Sequence, residues 1–162
     1  TDKEWKAMDQ AIEQLVTMRV GEEHFGIPIM QVYEIIFVPK LTGIAKAPES
    51  IIGVINLRGQ IIPVIDLRLV FAKPRGESTK RQRIVVTQSQ GKVIGLLVDE
   101  VTEVLRIQSS GLEAVPDAIM TKYTSYMDAI YKLDDRIIIL LKLDQLLDPA
   151  EMEYVHNEYE PY

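Results

Sequence analysis

The chain of 162 residues contains no cysteine and only two histidines, His24 and His156. The absence of cysteine excludes disulfide bonds, thiolate metal sites and a cysteine nucleophile. The two histidines lie far apart in the sequence and have no metal-ligand spacing. The sequence also lacks a phosphate-binding glycine pattern, since it has neither G-x-G-x-x-G nor a P-loop. We therefore expect no metal site and no cofactor.

Long apolar runs and an excess of positive charge are missing as well. The longest unbroken apolar runs, such as residues 137–141, are far too short to span a bilayer, and the N-terminus lacks the order of a signal peptide. We therefore expect a cytoplasmic protein without direct membrane insertion. The net charge of −6 and the aromatic content of 7% argue against a nucleic-acid binder, which needs a basic face and stacking aromatics.

The composition that remains is that of a folded globular chain, with 47% apolar and 26% charged residues. Short apolar segments separated by turn residues predict mainly β structure. Pro63 lies inside one apolar segment, which predicts an edge strand or a bulge there. Hairpin turns are predicted at residues 21–23, 58–59, 90–91 and 134–135.

The chain also repeats itself. Residues 25–36 align with residues 94–105, and residues 57–70 align with residues 133–146, with most apolar positions matched. The repeat predicts two β lobes of one plan, each with about five short strands. Lobes this small bury little surface alone, so we expect them to share an apolar interface with a groove that can receive a partner.

The predicted organisation is one domain flanked by short terminal segments, each a helix or a tail. The predicted bounds are 1–13 for the N-terminal segment, 14–150 for the domain, about 14–72 and 83–148 for its lobes, 73–82 for the loop that connects them, and 151–162 for the C-terminal segment. The connecting loop contains several basic residues and no apolar residue after Ala72. A solvated connection explains it, and a nucleic-acid patch is the weaker alternative because aromatics are not interleaved.

Adjacent acidic residues are one set of candidates for catalysis. They occur at Glu22-Glu23, Asp99-Glu100 and Asp134-Asp135. Neighbours on a strand point to opposite faces, so such pairs are poor acid–base dyads. A small-barrel enzyme would need a converging polar site, and the sequence shows none.

Glu34 and Arg58 stand out because each lies beside apolar strand residues. Arg58 occupies a turn position where glycine or asparagine would be the easy choice. One interpretation is a surface ion pair of little consequence. The other is a charge pair that orients a binding surface and supplies specificity. Residue chemistry alone leaves both open.

Residues 53–68, G-V-I-N-L-R-G-Q-I-I-P-V-I-D-L-R, resemble the signature of the CheW family of chemotaxis coupling proteins. Further family segments follow the expected order at residues 25–35, 95–101 and 135–140. The resemblance covers about residues 14–150, and its central block is long and specific.

The resemblance implies a fold, a function and partners. CheW-like domains consist of two five-stranded SH3-like β barrels around a shared hydrophobic core. They are adaptors, not enzymes, in bacterial chemotaxis. They couple methyl-accepting chemoreceptor tips to the regulatory domain of the histidine kinase CheA and support signalling arrays beneath the inner membrane. The alternative within the family is a CheW-like module of a larger protein; a standalone adaptor is expected.

The resemblance also implies site residues. Carried over by motif position, the expected receptor-binding residues are Val32, Glu34, Ile35, Ile84, Val98 and Val101, and the expected kinase-binding residues are Gly53, Asn56, Arg58 and Ile61. Arg83 departs from the family pattern, because the family often has an apolar residue there. This departure falls on the outer edge of the expected receptor groove.

Overall fold

The computed structural model describes residues 12–45, 47–73, 78–116, 123–146 and 151, and the predicted terminal helices lie almost wholly outside these ranges. The described residues are mainly β, as the turn pattern predicts. The strands are β1 (Ile12–Val20), β2 (Glu23–Pro28), β3 (Val32–Phe37), β4 (Ile51–Leu57), β5 (Gln60–Asp66), β6 (Arg83–Ser89), β7 (Lys92–Val98), β8 (Glu100–Gln108), β9 (Leu112–Glu113), β10 (Met127–Leu133) and β11 (Arg136–Leu141). The single-turn helix α1 is Leu67–Val70, and 3-10 turns cover Ile29–Gln31, Ser109–Gly111, Thr124–Tyr126 and Leu143–Gln145.

The strands form two sheets with nearly the same arrangement of strands. One has the order β8-β1-β2-β11-β10-β9, and the other has the order β3-β6-β7-β5-β4. Each sheet contains one parallel pair, β2 with β11 and β5 with β7, among antiparallel pairs. The sixth strand, β9, has only two residues. The expected fold class, mainly β with two small β units, is confirmed.

The two sheets do not follow the predicted lobe bounds, 14–72 and 83–148. Strands β1 and β2 come from the first half of the chain but pair with β8 and β11 from the second half. Strands β6 and β7 come from the second half but pair with β3 and β5 from the first half. Each sheet therefore combines the hairpin of one repeat with strands of the other repeat.

Tight turns confirm the predicted hairpins. Gly21 in the β1–β2 turn has a φ of 61°, and Arg58, Gln90 and Asp134 in the other three turns have φ near 51°. Two-residue hairpin turns need this left-handed backbone because their twist then matches that of the strands.

Pro63 lies in a central strand, so the first of the two predicted explanations, an edge strand, is wrong. The second, a bulge, occurs close by, because the β4–β5 register shifts between Ile51 and Gly53. Pro63 faces Val54 across the β4–β5 pair. The N–H and the C=O of Val54 both bond Thr42 instead, at 2.8 and 3.1 Å. Pro63 and Val54 are therefore a non-hydrogen-bonded pair, and the register with β7 begins only at Val64. The ladder needs no N–H at this position, which is why proline is tolerated.

The described residues form three apolar clusters. The largest, which we call the shared core, contains residues of both sheets, for example Met18 and Phe25 from one and Val85 and Leu96 from the other. A second cluster fills the five-stranded sheet around Ile62, and a third fills the other sheet around Leu15, Ile107 and Leu140. Central strands thus bury both faces, one in the cluster of their own sheet and one in the shared core.

Candidate functional site

The β4–β5 turn presents Arg58 at an unusual backbone position. Arg58 and Gly59 have φ of 52° and 84°. Residues other than glycine, asparagine and aspartate rarely adopt positive φ. Asn56 holds the turn, because its Oδ1 accepts the Gly59 N–H at 2.9 Å. The turn does not itself require arginine at position 58, so the contacts of the side chain must explain it.

The Arg58 side chain forms a bidentate ion pair with Glu34 on β3. Arg58 Nη2 donates to Glu34 Oε1 at 2.8 Å, and Nη1 lies 2.8 Å from Oε2. The hydrogen bond to Glu34 raises the pKa of Arg58 above its ordinary value, so the guanidinium stays charged. The Arg58 side chain is 64% exposed and that of Glu34 is 28% exposed. Water and salt screen such a pair, so it adds little to folding stability.

A β-bulge aims Glu34 at this turn. Val32 lies opposite Thr87 and Glu34 lies opposite Val86, so the register with β6 shifts between them. Val32 consequently packs toward the shared core, whereas Ile36, on the same face as Glu34, packs toward the cluster of the five-stranded sheet. Bulges re-aim side chains in this way. Without the shift, the carboxylate would point to the other face of β3.

Strand β3 also carries three large exposed side chains, Tyr33, Ile35 and Phe37, which we call the β3 strip. Their exposed fractions are 58%, 41% and 75%. Strand β3 is an edge strand of its sheet. Exposed apolar side chains clustered on an edge strand are typical of a protein-interaction surface.

A groove of about 360 Å³ begins at the β3 strip, and we call it the inter-sheet groove. It runs between the five-stranded sheet and the start of β8 in the other sheet. Its lining residues are Ile35, Arg81, Arg83, Glu100 and Val101. The structure therefore brings together two of the predicted receptor-binding residues, Ile35 and Val101.

Two predicted receptor-binding residues, Ile84 and Val98, cannot contact a partner directly. Ile84 is 0% exposed and belongs to the cluster of the five-stranded sheet, and Val98 is 1% exposed and belongs to the shared core. An apolar strand buried on both faces gives no sign of which side chains reach the surface. Val32, by contrast, is half-buried at the start of β3.

The predicted kinase-binding residues all lie on the β4–β5 hairpin, but only Asn56 and Arg58 are exposed. Ile61 is half-buried and packs against the shared core. Gly53 is a packing residue, because a Cβ there would lie 2.7 Å from the backbone oxygen of Thr42. Gly53 therefore shapes the hairpin from within and presents no side chain to a partner.

Arg83, the departure from the family pattern, is fixed in place by its neighbours. Its guanidinium carbon lies 4.3 Å from the centre of the Phe37 ring. Its Nη1 donates to the backbone oxygens of Lys80 and Gln82 at 2.8 and 2.7 Å. An arginine at this position covers one face of the Phe37 ring and replaces an apolar edge of the groove by a basic one.

Comparison with known proteins identifies the family. The model of the CheW-like domain matches residues 14–151. The chain belongs to the CheW-like family. It is 36% identical over 146 residues to the chemotaxis protein CheW of Klebsiella aerogenes, covering 90% of this chain and 87% of that one. It is 29% identical over 157 residues to the protein FrzA of Myxococcus xanthus, covering 95% and 97%.

A solved structure agrees with this assignment. The scaffolding protein TtCheW of Thermoanaerobacter tengcongensis superimposes with a TM-score of 0.77 and is 38% identical, covering 82% of this chain and 86% of that chain. The CheW-like family consists of non-enzymatic adaptors of chemotaxis, and this protein is a member.

Asp66 and Arg68, at the end of the family signature, belong to a buried charge cluster of this CheW-like domain. The cluster was not predicted from the sequence. Arg68 donates from Nε to Asp66 Oδ1 at 3.1 Å and from Nη2 to Oδ2 at 3.0 Å. Arg68 Nη1 also lies 3.7 Å from Asp99 Oδ1, and Asp99 Oδ2 accepts the Gly21 N–H at 2.7 Å. The Asp66 hydrogen bond raises the pKa of Arg68 despite burial. The cluster joins α1 to the β1–β2 turn and so ties the two sheets together.

We expect Asp66→Ala to lower the free energy of unfolding by about 3–5 kcal/mol, because it leaves a buried guanidinium without its main partner. Urea denaturation followed by circular dichroism measures this. Asp128→Ala, an exposed aspartate on β10, is the matched control and should stay within about 0.5 kcal/mol of wild type. Adding Arg68→Met to Asp66→Ala should recover part of the loss. Equal midpoints for the Asp66 and Asp128 variants would contradict the role of the cluster.

The adjacent acids have structural partners or turn positions. Asp99 is part of the charge cluster, Glu100 pairs with Arg19 at 3.4 Å, and Asp134 forms a hairpin turn. Within the described ranges, no group of three or more histidine, aspartate or glutamate side chains is arranged to hold a metal ion. The helices in the same part of the chain all lack the length and the apolar character that a membrane span requires.

Proposed function

We propose that this protein couples the cytoplasmic tips of methyl-accepting chemoreceptors to the regulatory domain of the histidine kinase CheA, and that it supports assembly of the signalling array beneath the inner membrane. The observation that carries the proposal is the bidentate pair between Glu34 and Arg58. This pair joins β3, which bears the exposed apolar strip, to the β4–β5 hairpin. A partner that binds one of these elements can therefore change the position of the other through this ion pair.

The receptor side of the proposal uses the β3 strip and the inter-sheet groove. Val32, Glu34, Ile35 and Val101 border this surface, while Ile84 and Val98 support it from the interior. A receptor tip is a helical hairpin, and a helix docks by laying apolar side chains at i, i+3, i+4 and i+7 into an apolar groove. The exposed Ile35 and the half-buried Val101 on facing walls suit that mode of docking.

The kinase side of the proposal uses the β4–β5 hairpin. Asn56 and Arg58 are its exposed contacts, and Gly53 and Ile61 keep its shape. Only a few exposed side chains are available, so each contact should be modest in affinity. Many such contacts in one array raise the overall affinity, because each bound contact increases the effective concentration of the next.

Co-sedimentation tests the proposal. Soluble receptor-tip fragments clustered on vesicles are expected to sediment CheA only when this protein is present. Each binary mixture, receptor with protein and kinase with protein, should also show complex formation. Sedimentation of CheA that is equal with and without the protein would rule the proposal out.

A further inference from the structure

The inter-sheet groove has a basic rim in a molecule that is acidic overall. Arg81 and Arg83 line it on one side and Glu100 lines it on the other. Glu100 is already compensated by Arg19, at 3.4 Å. Among the described residues, the Arg81 side chain has no ion-pair partner. The groove therefore carries two uncompensated positive charges, although the net charge of the chain is −6.

Arg83 is positioned in advance to receive a carboxylate. The Phe37 ring supports its guanidinium from one face, and both of its contacts with backbone oxygens use Nη1. Its Nε and Nη2 have no partner among the described residues. A guanidinium fixed in this way loses little conformational entropy on binding, and its planar fork of donors matches a carboxylate.

We propose that Arg81 and Arg83 make this groove selective for an amphipathic helix that carries a glutamate or aspartate beside its apolar stripe. The inference rests on the proposed function, because that helix would be the receptor tip, and it adds the charge that the helix must present. Ile35 and Val101 receive the apolar stripe, and the arginines select the acidic flank. Complementary charge at the rim of an interface sets the association rate and excludes wrong partners.

The same arginines could in principle mark a nucleic-acid surface, but the groove does not favour it. Single-stranded nucleic acids bind through free aromatic faces as well as positive charge. Phe37 is not among the residues that line the groove, and one face of its ring is stacked against Arg83. The walls at Ile35 and Val101 are aliphatic, which suits a helix.

Two probes test the inference separately from the proposed function. The first is a receptor-tip fragment, in its natural form and with the acidic residues next to its apolar stripe changed to amides. The second is a pair of designed amphipathic helical peptides whose flanking residues are glutamate or glutamine. Affinities and association rates are measured at low and moderate salt for wild type, Arg81→Gln, Arg83→Met and Arg83→Lys. Arg106→Gln, an exposed arginine on β8 outside the groove, is the charge-matched control.

We expect Arg81→Gln and Arg83→Met each to weaken binding of the acidic probes about three- to fivefold, mostly through the association rate and more strongly at low salt. Binding of the amide probes should not change, Arg83→Lys should keep part of the preference, and Arg106→Gln should match wild type. Equal weakening for acidic and amide probes, or none, would overturn the inference. So would binding of a single-stranded oligonucleotide, measured on the same variants, that depends on Arg81 and Arg83. If the designed peptides behave as expected but the receptor fragment does not bind, the proposed function fails and the groove selectivity stands.

Discussion

Produced separately, residues 1–77 and residues 78–162 are each expected to remain unfolded. Hairpin β1–β2 needs β8 and β11 as neighbours, and hairpin β6–β7 needs β3 and β5. Each half therefore contains a hairpin whose partners lie in the other half. The shared core is likewise built from both halves, so a single half exposes apolar surface that the whole chain buries.

Circular dichroism and urea denaturation measure this directly. Either half alone should show no cooperative unfolding transition, and mixing the halves in equal amounts should restore one. The control is the full chain with a protease site inserted between residues 77 and 78, which should stay folded after cleavage. Cooperative unfolding of one half alone would show that each lobe is built from one half of the chain, as the sequence repeat predicts. It would contradict the pairing of each hairpin with strands from the other half.

We expect Arg58→Asn to leave the fold intact and to weaken receptor and kinase binding. Asparagine tolerates the positive φ of position 58, so the midpoint of urea denaturation should stay the same or rise slightly. The bidentate contact with Glu34 is lost, and the carboxylate no longer has a fixed direction. Because the proposed function places the pair at the centre of the docking surface, affinity for a receptor-tip fragment should fall about 30-fold, as for other central charged contacts.

Arg136→Gln is the matched control for this prediction. Arg136 forms a comparable exposed pair with Glu103, at 2.6 Å, on the other sheet. Its loss should change neither stability nor binding. Glu34→Gln should reproduce the effect of Arg58→Asn, because either substitution removes the pair. If Arg136→Gln and Arg58→Asn had the same effect, the Glu34–Arg58 pair would be an ordinary surface ion pair.

Local patterns in the sequence predict much of this structure. The hairpin turns follow from two-residue turn signals, and β3 follows from its apolar run. The contact between Glu34 and Arg58 follows from the residue chemistry, because an arginine stands where a turn favours glycine and both charges lie beside apolar strand residues. The repeat correctly indicates equivalent strands. It does not determine which copies pair, because either pairing buries the same kinds of side chain.

Other features depend on tertiary structure and were not predictable locally. Ile84 and Val98 look like surface candidates, but both faces of their strands are covered. The register shift that turns Glu34 toward Arg58 arises only from pairing with β6. The burial of Asp66 with Arg68 becomes apparent only once the two sheets are packed together. One signal was available, since two opposite charges interrupt an otherwise apolar run there.

The rate of CheA autophosphorylation in a mixture with clustered receptor-tip fragments tests the adaptor role most directly. The account predicts that wild-type protein raises this rate well above that of receptor and kinase alone. Arg58→Asn, added at the same concentration of folded protein, should leave the rate near that baseline. A rate that does not depend on the added protein, or that Arg58→Asn raises as fully as wild type, would contradict the account.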